Sequence, residues 1–483
     1  MAIILLFLPL VFALIQFFIK GDIAKKTALV SSLIILGMNI FLLTQFDANS
    51  KFNFFNHTPW IHDLGISFDL GIDGLSMLML LLTNVLIPII IYSSFRTDRK
   101  DSHVFYAMIL MMQFGLNGVF MALDGILFYM FWEITLIPIW LICATWGGED
   151  RIKITLKFFI YTFFGSLFML LALIYTFMQT PDHSFALQSL YNANLSGTGL
   201  YFVYGSLFLG FAIKMPIFPF HTWQPDTYTT SPTQGTMLLS GIMLKMGIYG
   251  VMRWMLPLAP EASSTVAPWM MLLSIIGIVY ASFIAITQKD IKRIFAYSSI
   301  AHVGMIAAGL FALNIDGWQG ASFQMIAHGI NIVGLFFIAY IIEDRMKTRD
   351  ITTLGGIAKV APKFAVFFMI VMLGSMAVPL TNGFVGEFLL LKGIYNANMW
   401  MCIVAGTSII FCAVYMLRVY QLTMFGETNH ITEKFEDLNT QEIIVLSIIS
   451  ILVIVLGFFP NIIFELTNSS VFNTLQIALG ITS

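Results

Sequence analysis

The sequence predicts an all-α polytopic membrane protein with about fourteen transmembrane helices, and two observations predict it. Hydrophobic residues make up 58% of the 483 positions, which at ~20 apolar residues per span fills roughly fourteen crossings. Charged residues are only 10%, against ~25% in soluble domains, and mean hydropathy is +0.87. A soluble domain of this length lacks the interior to hide so much apolar surface. The apolar residues come in long unbroken runs, not in the alternation of a transmembrane β-barrel. A net charge of −2 leaves no basic footprint, so nucleic acid is not expected as a partner.

The apolar runs place spans near 2–19, 26–44, 75–95, 103–122, 125–143, 156–178, 200–220, 233–257, 268–287, 294–313, 321–342, 364–393, 398–424 and 442–459. The first has no basic leader and no A-x-A site, so it reads as a retained helix. The stretch 461–483, with Asn461, Glu465, Asn468 and Asn473, reads as an interfacial tail and not as a fifteenth span.

Charge then orients the spans. Alternate loops carry Lys20, Lys25 and Lys26; Arg96, Arg99 and Lys100; Arg151, Lys153 and Lys157; Lys289, Lys292 and Arg293; Arg345, Lys347, Arg349, Lys359 and Lys363; and Arg418 and Lys434. The opposite side holds only Lys51 and Arg253. The positive-inside rule therefore puts both termini outside the cytoplasm. In the long outer loop, Ile66 to Asp73 alternates apolar and polar residues, which predicts a half-buried strand of a hairpin on the external face.

The chain also resembles itself. Gly165-Ser166-Leu167-Phe168-Met169 is similar to Val333-Gly334-Leu335-Phe336-Phe337, five spans later. An odd separation inverts the second copy, a common transporter plan with binding sites on interrupted helices.

Function is signalled by ionisable residues where lipid should be: Glu133, Lys214, Lys245, His302, His328, Glu387 and Lys392. A charge at the bilayer centre costs several kcal/mol, so such groups face a bundle interior or a water-filled route. Lys392 lies near the outer end of its span and reads as a structural ion pair or a snorkelling side chain. Glu133 and Lys245 lie mid-span, with no helix end to snorkel to. His302 and His328 read as relay residues, since histidine titrates near physiological pH. Lys214 precedes Pro216 and Pro219, which remove amide donors and break the helix. A second break is expected at Pro379-Leu380-Thr381-Asn382-Gly383, just before Glu387. Burial disfavours the charged forms of lysine and glutamate, which brings both toward the neutral range where a proton carrier works.

Cys143, Cys402 and Cys412 sit in apolar runs without a CxxC and read as small hydrophobes. Cluster ligation usually takes four placed thiolates, and no phosphate-loop, dinucleotide or HExxH motif is present. No cofactor and no metal site is expected in this chain.

The run Gly210-Phe211-Ala212-Ile213-Lys214-Met215-Pro216-Ile217-Phe218-Pro219-Phe220-His221-Thr222-Trp223-Gln224-Pro225-Asp226 resembles the hallmark of the antiporter-like subunits of respiratory complex I. Ser231-Pro232-Thr233 and Leu244-Lys245-Met246-Gly247-Ile248-Tyr249-Gly250 extend the likeness. So do Gly71-Ile72-Asp73-Gly74-Leu75-Ser76, Phe131-Trp132-Glu133 and Ala296-Tyr297-Ser298-Ser299-Ile300-Ala301-His302, so that nearly the whole chain is covered. Gly383-Phe384-Val385-Gly386-Glu387-Phe388 is similar to the M type by its glutamate; the L and N types usually carry lysine there. The resemblance implies fourteen helices, two inverted five-helix repeats over spans 4–8 and 9–13, and broken helices 7 and 12. It also implies a Glu133–Lys214 charge pair, a central hydrated axis of Lys245, His302 and His328, and Glu387 as the terminal site. Thr229-Thr230 departs from the Glu-Ala that relatives often carry.

The expected organisation is 1–95 as three helices with the hairpin, 103–257 and 268–424 as the two repeats, and 425–483 as the last helix and tail. The expected function is proton translocation in bacterial NADH–quinone oxidoreductase, in the inner membrane. FMN and iron–sulfur clusters belong to partner subunits, which include the L-type, N-type and small membrane subunits and the hydrophilic redox arm. The alternative is a subunit of a multisubunit cation/proton antiporter.

Overall fold

In the computed structural model, residues 1–97 and 99–481 are described. Two helices, α1 (Ala2–Gln16) and α2 (Asp22–Thr44), lead into four short strands: β1 (Asn53–Asn56), β2 (Pro59–Ile61), β3 (Ile66–Ser67) and β4 (Leu70–Ile72). The chain continues as α3 (Gly74–Ser93), α4 (Ser102–Met121), α5 (Gly125–Trp146), α6 (Arg151–Met178), α7 (Leu187–Tyr191), α8 (Gly197–Lys214) and α9 (Gln224–Thr230). One continuous rod, Thr233–Leu258, comes next. It consists of α10 (Thr233–Leu238), α11 (Leu244–Gly250) and α12 (Leu256–Leu258), joined by π-helical turns at Leu239–Met243 and Val251–Met255.

Then come α13 (Pro260–Thr287), α14 (Ile291–Phe311), α15 (Ile315–Met346), α16 (Ile357–Val360), α17 (Pro362–Ser375), α18 (Asn382–Ala397), α19 (Met399–Met424), α20 (Thr440–Phe458) and α21 (Asn461–Ala478). Polar side chains start several of these helices by accepting free first-turn amides. Asp73 accepts from Ser76, Asp124 from Ile126 and Leu127, Asp290 from Arg293, and Asn439 with Glu442 forms a capping box.

Among the described residues, eleven helices are long and apolar enough to cross a membrane. The other three expected spans are the short α1 and the two broken ones, so length and apolarity alone do not reach fourteen. Both breaks fall where prolines predict them. α8 stops at Lys214 and helix resumes at Gln224; α17 stops at Ser375 and helix resumes at Asn382.

Two expectations need correction. Ile66–Asp73 is not one half-buried strand, because β3 pairs with β2 while β4 pairs with β1. Between them the Asp69 carbonyl turns to accept the Leu123 amide at 2.9 Å, and both short strands are buried. The stretch after Asn461, expected as a tail and not as a fifteenth span, takes the form of the helix α21, with the Gly74 amide donating to Ser470 Oγ at 2.8 Å. Arg253 is no loop residue: it lies in the second π turn of the Thr233–Leu258 rod, 3% exposed. A guanidinium can be buried there because Asp73 neutralises it.

The chain forms two compact units. The first is Met1–Met215 with Ile242–Pro268 and Ile463–Ser483; the second is Pro216–Gly241 with Trp269–Ile462. The chain passes from one to the other at the α8 break, so α9 packs within the second unit. There Arg349 Nη1 donates to the Thr229 carbonyl at 2.9 Å and Arg293 pairs with Asp226 at 3.0 Å. Lys292, read from sequence as a loop charge, is buried beside them and reaches Glu343 at 3.7 Å and the Ser231 carbonyl at 3.3 Å.

Candidate functional site: ionisable residues within the two units

The first unit holds Glu133, Lys214 and Lys245. Glu133 stands mid-way along α5, half-buried, and its Oε1 has no hydrogen-bond partner. Ser166 on α6 and Lys214 are the polar groups acting on it. Lys214 is the last residue of α8 and 3% exposed. Its Nζ stands 5.4 Å over the centre of the Trp132 ring, a cation–π placement that partly replaces lost water. Glu133 and Lys214 act on each other, but they form no ion pair among those of the described residues; the ammonium stands instead over Trp132, one position before Glu133. The expected pair is thus present as neighbours with an unclosed gap.

Lys245 is fully buried in α11, between the two π turns. Such turns are rare and concentrate at functional positions. The rod around it is buried throughout, whereas α2 and α19 are largely exposed.

The second unit holds His302, His328 and Glu387, and here the structure joins what the sequence left apart. His302 Nδ1 on α14 lies 2.9 Å from Glu387 Oε1 on α18, 85 residues away. The His302 and His328 rings are 5.7 Å apart between centroids. Gln324 Nε2 on α15 donates to the same carboxylate oxygen at 3.5 Å. Asn382, at the start of α18, is fully buried with neither side-chain atom hydrogen-bonded. The break before α18 therefore delivers an amide and a carboxylate into the interior.

Several participants escaped the sequence reading. Cys412, taken as a small hydrophobe, sets its Sγ 3.8 Å from His302 Nε2 and 3.6 Å from the Ser375 carbonyl. Nothing in its apolar run signals that, because a contact between α14 and α19 has no local pattern. The buried Asp73–Arg253 pair was also missed. The eight-residue spacing from Lys245 to Arg253, two helical turns on one face, was its available signal. Lys392 reaches Asp316 at 2.9 Å with half its side chain exposed, as the structural reading of it expects.

Residues 122–412 match the family described as NADH:quinone oxidoreductase/Mrp antiporter, TM. The chain is 41% identical over 482 residues to "NADH-quinone oxidoreductase subunit M" of Rickettsia prowazekii (strain Madrid E), covering 98% of each. Among solved structures it is similar to a chain of respiratory complex I from Thermus thermophilus, with a TM-score of 0.91 at 28% identity and complete coverage of both. A chain of the Mrp complex from Dietzia sp. DQ12-45-1b superposes with a TM-score of 0.86 at 18% identity, over 99% of this chain and 52% of that one; this likeness shows the fold alone. With its broken helices, its buried lysines and the His302–Glu387 pair, the chain belongs to the subunit M family of the NADH-quinone oxidoreductases.

Proposed function

We propose that this chain is a proton-translocating membrane subunit of complex I that moves protons through Glu133, Lys214, Lys245, His302, His328 and Glu387. The observation that carries this reading is the near-complete coverage by subunit M relatives of a chain that buries Lys214, Lys245, His302, His328 and Glu387, and half-buries Glu133, inside apolar bundles. Each unit supplies part of the set: a carboxylate and two lysines in the first, two histidines and a carboxylate in the second. The repeats at 103–257 and 268–424 flanked by 1–95 and 425–483 remain the proposed organisation.

A proton carrier needs a group whose hold on its proton can be changed. Bringing a carboxylate toward an ammonium tightens that hold, and withdrawing it loosens it. The unclosed gap between Glu133 and Lys214 is suited to such a change. Moving one charge against 100 mV requires ~2.3 kcal/mol, and each tenfold change in proton affinity supplies ~1.4 kcal/mol. A conformational change that alters affinity by about a hundredfold is therefore sufficient. No redox group is needed locally. FMN and iron–sulfur clusters belong in this reading to partner subunits of the hydrophilic arm, and the L-type, N-type and small subunits are its membrane neighbours. In this reading it lies in a bacterial inner membrane, and the distribution of loop charges supports both termini on the periplasmic side.

The test is Lys245→Ala in the assembled complex, reconstituted into proteoliposomes. Pumping should be abolished or strongly lowered while copurification with the redox arm is retained. Pumping at the wild-type rate overturns the role of Lys245.

A further inference from the structure

A buried ion pair and a cavity in the first unit take no part in the scheme above. Lys245, Tyr249 and Arg253 follow at four-residue intervals along one face of the Thr233–Leu258 rod. Arg253 Nε donates to the Tyr249 phenol oxygen at 3.3 Å, and Nη2 donates to Asp73 Oδ2. The Tyr249 hydroxyl donates to the Phe120 carbonyl at 3.2 Å and lies 3.1 Å from Ser76 Oγ. The rings of Phe52 and Tyr249 stand 5.7 and 5.5 Å from the guanidinium carbon. Asp73 and Arg253 are 4% and 3% exposed at their side chains.

On the other side of this pair lies a cavity of about 490 Å³ at the hairpin end of the bundle. The exposed Lys51, Gln188 and Asn473 stand among its walls, and Asp73 and Arg253 reach it from within. Buried ion pairs add little net stability, and apolar replacements are often as good. A pair that lines a cavity with Lys51, Gln188 and Asn473 at its walls, its arginine eight residues along the rod from a carrier lysine, has a different use. A guanidinium does not give up its proton, so it cannot relay. Asp73 neutralises it at Nη2 while its Nε–H faces the Tyr249 phenol oxygen, so the positive end of the pair opposes an extra proton there.

We propose that the Arg253–Asp73 pair is an electrostatic plug that separates this cavity from Lys245, so that protons held by Lys245 cannot escape along its own helix to the hairpin face. The proposal rests on the reading that Lys245 carries protons. Arg253 is a positioning residue of the pathway, acting by its charge, and Asp73 holds it in place.

The experiment uses the assembled complex in proteoliposomes with an imposed pH gradient and no NADH, and records the decay of the gradient. Arg253→Gln, which keeps much of the volume and removes the charge, should speed the decay at least tenfold. Asp73→Asn, which leaves the cation, should stay tight. Adding Lys245→Ala to Arg253→Gln should seal the leak. A gradient as durable as wild type in Arg253→Gln overturns the plug, and equal leakage from Arg253→Gln and Asp73→Asn assigns the pair to packing alone, which also overturns it. Should Arg253→Gln fail to assemble, Arg253→Gln with Asp73→Asn leaves no unpaired buried charge and carries the same expectation. Failure of the underlying reading is distinguishable: the single variant Lys245→Ala would then pump normally, whatever the leak measurements return.

Discussion

Glu387 accepts from, or shares a proton with, His302 across 2.9 Å, joining α18 to α14 beside the second helix break. With Cys412 Sγ 3.8 Å from the other ring nitrogen, both nitrogens of this imidazole are addressed. The geometry suits a residue that passes a proton between two partners without turning its ring.

If that pair acts by titration, Glu387→Gln should impair coupled activity more than Glu387→Asp. Glutamine still offers His302 a hydrogen bond but cannot take its proton; aspartate can, at the cost of a shorter reach. NADH–quinone activity and proton uptake in assembled complex should fall at least tenfold for Gln and by severalfold for Asp. Equal activity of the two variants would assign Glu387 to packing.

Glu133 and Lys214 should behave as one unit. Glu133→Gln and Lys214→Ala should each lose most proton uptake, and the double variant should be little worse than either single one, because coupled residues are non-additive. A fully active Glu133→Gln, or losses that multiply strictly, would count against the switch.

Gly74→Ala should loosen α21. A Cβ at Gly74 would stand 2.1 Å from the Leu466 carbonyl oxygen, and backbone cannot yield as a flexible side chain does. Overpacking of this kind costs about 1–3 kcal/mol. Hydrogen exchange of the α21 amides should rise tenfold or more in Gly74→Ala, and by less in Ser470→Ala, which only removes an acceptor. Unchanged protection would show that α21 is held elsewhere.

Lys392→Ala should be nearly silent. Its pair with Asp316 has one side chain 51% exposed, and exposed pairs contribute about 0–1 kcal/mol. Pumping and thermal stability should match wild type; a pumping defect would return Lys392 to the group of functional residues.

What the sequence alone determined is what depends on one segment at a time. Apolar run length set the helices, because the bilayer demands ~20 apolar residues per crossing. Prolines at 216, 219 and 379 announced the two breaks, since a residue without an amide proton cannot continue the hydrogen-bond ladder. Glu133, Lys214, Lys245 and Glu387 stood out because ionisable groups are costly in apolar surroundings. The tertiary structure decided everything that depends on which helices meet. It brought Cys412 and Glu387 onto His302, left Glu133 and Lys214 as neighbours with Trp132 over the ammonium, and moved Arg253 from a supposed loop to a buried partner of Asp73. Asp73 and Arg253 are 180 residues apart. Local hydropathy carries no record of such a pairing, because charge neutralisation in a membrane interior is a property of the packed bundle and not of either helix.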